Sequence, residues 1–283
     1  VKSIKKSATI LSLLFFSVSF SYGIELSFKF SGGLNYLNLN NINRSLQDWA
    51  GWYEKKGAAD KNWSFEGEVK KFHSGLEFEG EIMLTLSSHF AVSLGSGLIY
   101  GKIADKKTEI TVEKKKGTFI YVRPNKVSAS PLNLAGYFIL PIKGKIRSYL
   151  KGGIGWYWAK YIDWQGEREL TETEFNFSSQ IASAKGPAFE GGLGISVEIN
   201  PYLQLFIEGI ARKAKISGFQ GEIKKGEKGT LFYFEEYDSN LDFWQGKVEI
   251  LSEKPDGEEF RSIQEAVVDF SGFSVKIGVI IKF

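Results

Sequence analysis

The stretch that decides the fold is Leu76-Glu77-Phe78-Glu79-Gly80-Glu81-Ile82-Met83-Leu84-Thr85-Leu86. Leu76, Phe78, Gly80, Ile82, Leu84 and Leu86 share one parity, and Glu77, Glu79, Glu81, Met83 and Thr85 share the other. Side chains alternate between the two faces of a strand, whereas a helix gathers positions three and four apart. The run therefore makes a strand with one apolar and one ionised face. Ser87-Ser88-His89 interrupts it as a turn. Phe90, Val92, Leu94, Leu98 and Tyr100 then resume the alternation opposite the small residues Ala91, Ser93, Gly95 and Gly97. Ile82 to Gly101 is the longest stretch after residue 23 without Asp, Glu, Lys or Arg. Its polar break and its glycines make it two strands and a turn, not a membrane helix.

The same two-residue period appears six more times. Leu26, Phe28, Phe30 and Leu34 alternate with Glu25, Ser27, Lys29, Ser31 and Asn35. Leu132, Leu134, Phe138 and Leu140 alternate with Asn133, Ala135 and Tyr137, and Ile146, Leu150, Ile154, Trp156 and Trp158 with Arg147, Tyr149, Lys151, Gly153 and Gly155. Phe189 to Ile199, Leu203 to Ile207 and Phe273 to Phe283 repeat the pattern. Each segment is about as long as a tilted strand needs to be to cross a membrane. The connections alternate as well: Ser87–His89, Pro141–Lys145 and Asn200–Tyr202 are short, while residues 38–74, 102–126, 161–186 and 217–271 form long links. That rhythm is the one of an outer-membrane barrel with tight periplasmic turns and long outer loops. The expected fold is all-β: an eight-stranded antiparallel up-and-down transmembrane β-barrel with long extracellular loops. Ten strands are the alternative if Leu231–Phe234 and Trp244–Ile250 also cross, but Glu235 and Glu236 beside the first of these favour an outer hairpin.

Composition agrees. The chain has 283 residues, 36 Lys+Arg, 33 Asp+Glu, 2 His and no Cys. Without cysteine there is no disulfide scaffold, thiolate metal site or thiol nucleophile. Lys2, Lys5 and Lys6, the apolar run Ala8 to Phe20 and Ser21-Tyr22-Gly23 form the three parts of an export signal over residues 1–23, cleaved after Gly23. The barrel domain is then 24–283. Without the three lysines of the signal, 33 basic residues balance 33 acidic ones, and a nucleic-acid partner is not expected.

The signal, the eight alternating segments and a last strand ending in Phe283 resemble the small bacterial outer-membrane β-barrels of the opacity and adhesin-like kind. The resemblance covers residues 24–283 as strand pattern. It implies residence in the bacterial outer membrane, contact with outer-membrane lipid and lipopolysaccharide, and a C-terminal signal for the barrel-assembly machinery. Phe283, with Val279 and Ile281 behind it, would form that signal.

An eight-stranded barrel is just wide enough inside for side chains to fill it. The inward parity carries the acids Glu25, Glu77, Glu79, Glu81, Glu190, Glu198 and Glu208 and the bases Lys29, Arg147, Lys151, Arg212, Lys276 and Lys282. Charges enclosed by lipid persist only when paired or wetted. A structural ion-pair network built on Glu77, Glu79, Glu81, Arg147, Lys151, Glu190, Glu208 and Arg212 is therefore expected, with Arg147 and Lys151 facing the acids. No cofactor or metal is expected. In the first long link Leu46, Trp49 and Tyr53 lie at helical spacing. In the second, Glu109–Glu113 and Thr118–Val122 flank Lys114-Lys115-Lys116-Gly117 as a hairpin extending the third and fourth strands. Hydrolysis by a histidine-assisted nucleophile is not expected, because His73 and Ser74 point to opposite faces of one strand and His89 lies in a periplasmic turn. The expected function is to present surface loops for adhesion, surface binding or envelope stability. A narrow channel or transporter for small solutes is the alternative, with a lipid-modifying enzyme behind it.

Overall fold

The computed structural model describes residues 24–103, 105–223 and 226–283; the expected export signal lies outside the described residues. β1 (Glu25–Tyr36) leads into helix α1 (Asn40–Ala59), a short strand β2 (Ser64–Gly67), then β3 (Ser74–Thr85) and β4 (Phe90–Lys102). A hairpin of β5 (Glu109–Lys114) and β6 (Gly117–Val122) precedes four longer strands, β7 (Asn125–Lys143), β8 (Ile146–Glu169), β9 (Asn176–Asn200) and β10 (Leu203–Lys213). The remainder comprises β11 (Lys215–Ile216), β12 (Gln220–Glu222), β13 (Lys228–Asp238), β14 (Phe243–Leu251), β15 (Phe260–Glu265), β16 (Val268–Asp269) and β17 (Gly272–Lys282).

The fold is all-β apart from α1 and one 3-10 turn, and its strand pairs are antiparallel. β1 pairs with β3, β3 with β4, β4 with β7, β7 with β8, β8 with β9, β9 with β10 and β10 with β17. β17 pairs in turn with β1, from Ser27 opposite Lys282 to Asn35 opposite Ser274. The pairings thus run in a cycle of eight, which is not evenly round. The β13–β14 hairpin stands outside that cycle, joined to β12 and β15.

Burial along β3 reverses the pattern of a water-soluble core. Leu76, Phe78 and Ile82 are 45%, 53% and 45% exposed, while Glu77, Glu79 and Glu81 are 4%, 5% and 3% exposed. Apolar residues face outward all round the cycle, among them Leu94, Leu134, Ile154, Phe189, Ile207 and Ile277. From Leu76 to Leu86 the strand advances about 33 Å at its usual rise, or about 25 Å along the axis of a ring whose strands tilt by about 40°, the height of a lipid-facing band. The three short connections, together with Glu25 and Lys282, lie at one end of the ring.

The other end carries a cap with a conventional apolar core. Leu37, Leu39, Ile42, Leu46, Phe72, Ile99, Val127, Phe219, Leu231 and Phe270 are buried there together. α1 turns Ile42, Leu46, Trp49 and Ala50 into that core, as the spacing of Leu46, Trp49 and Tyr53 predicts. Asn43 fixes the start of α1: its amide donates to the Phe72 carbonyl (3.0 Å) and its oxygen accepts from the Phe72 N–H (3.0 Å). Farther along, the Trp52 indole donates to Asp238 (2.9 Å), and the Gly246 N–H donates to Asp48 (3.1 Å). Burial pushes the Asp48 carboxyl above the usual aspartate value.

Two expectations about the links change. Residues 161–186 are mostly strand, because β8 and β9 stay paired from Ile162–Ile181 up to Glu167–Asn176. There the outward parity mixes Ile162, Trp164, Phe177 and Ile181 with Gly166, Ser179 and Ser183, and the inward one turns to Asp163, Gln165 and Gln180, so the segment reads as a loop when apolar period alone is followed. The β5–β6 hairpin does not extend β4 and β7. It pairs with the upper part of β8, from Phe119 opposite Glu169 to Val122 opposite Gly166, and with β2. Arg123 directs it there by a buried pair with Asp163 on β8 (2.7 Å). Burial works against the Arg123 charge, but the Asp163 carboxylate outweighs it and holds the guanidinium above its ordinary value.

Candidate functional site

The inward positions at mid-height form one connected cluster of charges. Register creates it: Lys29 lies opposite Glu81 on β1 and β3, Glu208 opposite Lys276 on β10 and β17, and Arg212 opposite Glu190 on β10 and β9. Lys29 Nζ contacts Glu81 (3.0 Å) and Glu208 (2.7 Å). Lys151 Nζ reaches Glu190 (2.9 Å), Glu81 (3.2 Å) and Glu79 (3.6 Å). Lys276 touches Glu79, Glu208 (3.4 Å) and Glu77 (3.5 Å), and Arg212 closes on Glu77. Asn133 donates to Glu79 (3.0 Å) and Glu190 (3.3 Å), and Ser93 donates to Glu81 (2.6 Å). Among the described residues this cluster holds five carboxylates and four cations.

Of the eight residues expected in the network, seven meet here. Arg147 does not. It lies nearer the end with the short turns, half exposed, beside Glu198 at 3.6 Å. The reason is register: Arg147 lies opposite Ser196 and Lys151 opposite Gly192, so Arg147 sits four residues closer to the turn. Lys282 and Glu25 form another separate pair at that end (2.9 Å). Phe283 continues the sheet through its N–H, which donates to the Leu26 carbonyl (3.1 Å), and its ring meets Phe28 edge-on at 5.5 Å. Val279 and Ile281 lie opposite Phe30 and Phe28 on the outward face.

Aromatic rings fill what the charges leave. Tyr137 and Tyr149 meet at 5.5 Å, and Lys29 Nζ lies 4.6 Å from the Phe206 ring centroid, within cation–π range. Glycine makes room for them: a Cβ at Gly194 would lie 2.3 Å from the Tyr149 ring. The interior cavity beside Lys29, Tyr137, Arg147, Gln204 and Lys282 is about 30 Å³, space for no more than one or two waters. Glu79, Glu81 and Glu208 cluster closely enough to suggest cation ligands, but Lys29, Lys151 and Lys276 already thread between them. What the arrangement does chemically is pair the buried charges, with one acid in excess, and fill the ring.

Outside, a band of lysines follows the upper edge of the apolar face. Lys102 on β4, Lys126 on β7, Lys160 on β8, Lys185 on β9 and Lys213 on β10 occupy neighbouring strands and share the outward parity. Four of the five are exposed, and Lys126 Nζ lies 4.8 Å over the Tyr100 ring. Trp156 and Trp158 lie just below the band, 43% and 49% exposed.

In the cap, an open cleft of about 340 Å³ separates α1 from the top of β8 and β9. Trp49 and Tyr53 line it from α1, the Tyr53 ring 4.9 Å from that of Tyr121, and both Trp49 and Tyr121 are buried. Tyr121, Glu167 and Asn176 line it from one row across β6, β8 and β9, together with Gln165. Lys114 donates to the Tyr121 hydroxyl, which donates to Glu167 (2.8 Å). Burial pushes the Tyr53 hydroxyl up to about 12 and also lowers the Lys114 ammonium below its usual value. The sequence marks Trp49, Tyr53 and Tyr121 separately, but it gives no sign that they meet Gln165 and Asn176 at one cleft.

Neither histidine sits in a catalytic constellation. His73 stacks on Tyr36 at 5.1 Å, with Nδ1 3.2 Å from the Leu37 carbonyl. His89 Nδ1 lies 2.8 Å from the Ser88 hydroxyl in an exposed turn. Among the described residues no carboxylate bonds either ring.

No protein-family model matches the chain, and no curated protein matches it. Among solved structures, the outer membrane protease OmpT from Escherichia coli aligns over 92% of this chain and 95% of its own at 7% identity, with a TM-score of 0.26. The siderophore receptor PirA from Pseudomonas aeruginosa aligns over 91% and 80% at 8% identity, with a TM-score of 0.10. Both scores are too low to assign a shared fold.

Proposed function

We propose that the protein is an integral outer-membrane β-barrel of eight strands, of the opacity and adhesin-like kind, whose filled interior anchors a surface cap that binds ligands or partners. The observation that carries this reading is the inversion of burial around the ring, with apolar side chains outside and paired charges inside. Water would penalise such an outer face and lipid rewards it. Closure through β1 and β17 leaves no open edge in the hydrocarbon layer, where each unpaired backbone group costs several kcal/mol.

The lysines above the apolar face suit the phosphate groups of outer-membrane lipid and lipopolysaccharide, with Trp156 and Trp158 at the interface below them. The terminal Phe283, with Ile281 and Val279, suits recognition by the barrel-assembly machinery. The protein acts by binding, not by catalysis. The ion pairs, the tyrosines and the 30 Å³ internal cavity oppose a solute path. Fractionation and gel mobility test the assignment. The protein should sediment with outer membranes, resist extraction by alkaline carbonate, and migrate differently before and after boiling. Recovery in the soluble fraction with a single mobility would refute it.

A further inference from the structure

We infer that the outward face of β7 to β10 seats one lipopolysaccharide molecule, its lipid A phosphates on the lysine band and one of its acyl chains in a glycine-floored trough below. The site deepens the proposed membrane reading and rests on it for placing this face in the outer leaflet.

The charge is one-sided. Lys102, Lys126, Lys160, Lys185 and Lys213 lie on five neighbouring strands, and among the described residues none has a carboxylate partner. The outward positions of the eight ring strands hold no Asp or Glu, and those of β17, β1 and β3 hold no charge of either sign. The interior cations Lys29, Lys151, Arg212 and Lys276 are all paired with acids. A general need to meet lipid head groups would spread lysines round the whole ring. Five unpaired cations on one side, at the edge of an apolar surface, match a ligand that brings several phosphates to that edge. A lipid with a single phosphate leaves most of them unmatched.

The trough supplies the other half. Gly136 lies opposite Gly152, Gly152 opposite Gly191 and Gly191 opposite Ala211, so four neighbouring strands share a floor with at most a methyl group on it. Leu134, Ile154 and Phe189 form its upper wall in the same register, ending at Lys213, and Phe138, Leu150 and Leu193 form the lower one. Glycine weakens a strand, and nothing in the packing requires it here. A Cβ at Gly136 or Gly152 would meet nothing within 4 Å, and one at Gly191 nothing nearer than 3.8 Å. None of the three has a positive φ. What the missing side chains leave is room on the outside. Three strand spacings make the trough about 14 Å long, the reach of most of one acyl chain.

Its direction is that of a lipid tail. Lys213 is two residues above Ala211 on β10, Lys185 six above Gly191 on β9, Lys160 eight above Gly152 on β8 and Lys126 ten above Gly136 on β7. The trough therefore starts beneath the lysines at β10 and dives away from them toward β7. Trp158, directly across from Lys185, puts an aromatic ring at head-group level between band and trough.

Native mass spectrometry of the protein folded in a neutral, phosphate-free detergent tests the site with bisphosphorylated lipid A, the same lipid with both phosphates removed, and phosphatidylglycerol. Wild type should hold one lipid A and prefer it clearly to either of the others. Lys160→Ala combined with Lys185→Ala should weaken it about thirtyfold, at the usual strength of a lysine beside anionic lipid. Gly152→Leu fills the trough from a position where a Cβ meets no protein atom within 4 Å. It should fold as wild type does and weaken lipid A severalfold. Lys145→Ala, in an exposed turn at the other end of the ring, should leave binding unchanged.

The site is overturned if phosphatidylglycerol or the dephosphorylated lipid is held as tightly as lipid A. It is equally overturned if lipid A binding is unaltered in the lysine pair or in Gly152→Leu. Gel mobility before and after boiling identifies folded protein in each variant. Failure of the membrane reading would appear separately, as a wild-type mobility that boiling does not change.

Discussion

Replacing Lys276 by methionine tests the interior charge cluster where it is most connected. Lys276 Nζ lies among Glu77 (3.5 Å), Glu79 and Glu208 (3.4 Å), and its side chain is 0% exposed. Methionine keeps most of the stem and removes the cation. The cluster of five carboxylates and four cations then holds five and three, with three of the acids each short of a partner. Removing one member of a buried pair costs about 3–5 kcal/mol, because the other charge stays buried without compensation. Each of the three acids keeps one other cation, Glu77 with Arg212, Glu79 with Lys151 and Glu208 with Lys29, which places Lys276→Met at the lower end, about 3 kcal/mol. Adding Glu79→Gln removes one of the under-compensated charges while Lys151 keeps Glu81 and Glu190. The pair should therefore recover about 2 kcal/mol, within the range found for residues sharing one network. The assay is equilibrium urea unfolding of protein folded into lipid vesicles, followed by gel mobility and Trp emission for wild type, both single variants and the double. A cost below about 1 kcal/mol for Lys276→Met, or strict additivity in the double variant, would refute the account of the interior.

Other outcomes follow from the same geometry. Glu190→Gln balances the cluster at four charges of each sign, and Lys151 still holds Glu79 and Glu81; urea midpoints should show it to be the mildest of the five carboxylate-to-amide changes. Gly278→Ala would place a Cβ 1.9 Å from the Phe30 carbonyl oxygen on the facing strand, so the β1–β17 seam must shift. The yield of the fast-migrating unboiled species should fall sharply, whereas Gly209→Ala, with open space around its Cβ, should fold normally.

Trp52 and, after it, the Asn240 N–H hold the Asp238 carboxyl below the usual aspartate value of 3.8. A depressed folded value means that this group's support for α1 is complete above about pH 3.8 and fades as the pH falls through the folded value. A change in Trp emission below that pH should be seen in wild type and be absent in both Asp238→Ala and Trp52→Phe.

The ring was legible in the sequence because a two-residue period needs no tertiary information. Leu76 to Leu86 names its own faces, and apolar side chains outside with ion pairs inside preserve that pattern strand by strand. The membership of the cluster was legible to the same degree, since Glu77, Glu79, Glu81, Lys151, Glu190, Glu208 and Arg212 all share the inward parity. Height along the axis was not. Parity places Arg147 and Lys151 on one face, but only register separates them by four residues and gives Arg147 to Glu198. The upper hairpin of β8 and β9 was missed for another reason. Above the apolar band both faces meet water or a mixed core, so Gln165, Glu167, Asn176 and Ser178 carry no apolar period to read. The cleft walls come from elements more than a hundred residues apart, Tyr53 on α1 and Asn176 on β9, and only the folded cap brings them together.

The central claim is that the chain closes into a ring through β1 and β17, with its apolar face in lipid. The chain has no cysteine, so paired cysteines report that seam without background. Leu34 lies opposite Val275, both on the outward face and 67% and 58% exposed, while Ile277 lies opposite Gly32, two residues away along the strand. Oxidation in intact outer membranes should cross-link Leu34→Cys with Val275→Cys nearly completely and Leu34→Cys with Ile277→Cys far less. The cross-linked protein should keep the mobility of the unboiled wild type. Failure of the first pair to cross-link, or equal cross-linking of both pairs, would contradict a closed ring in this register.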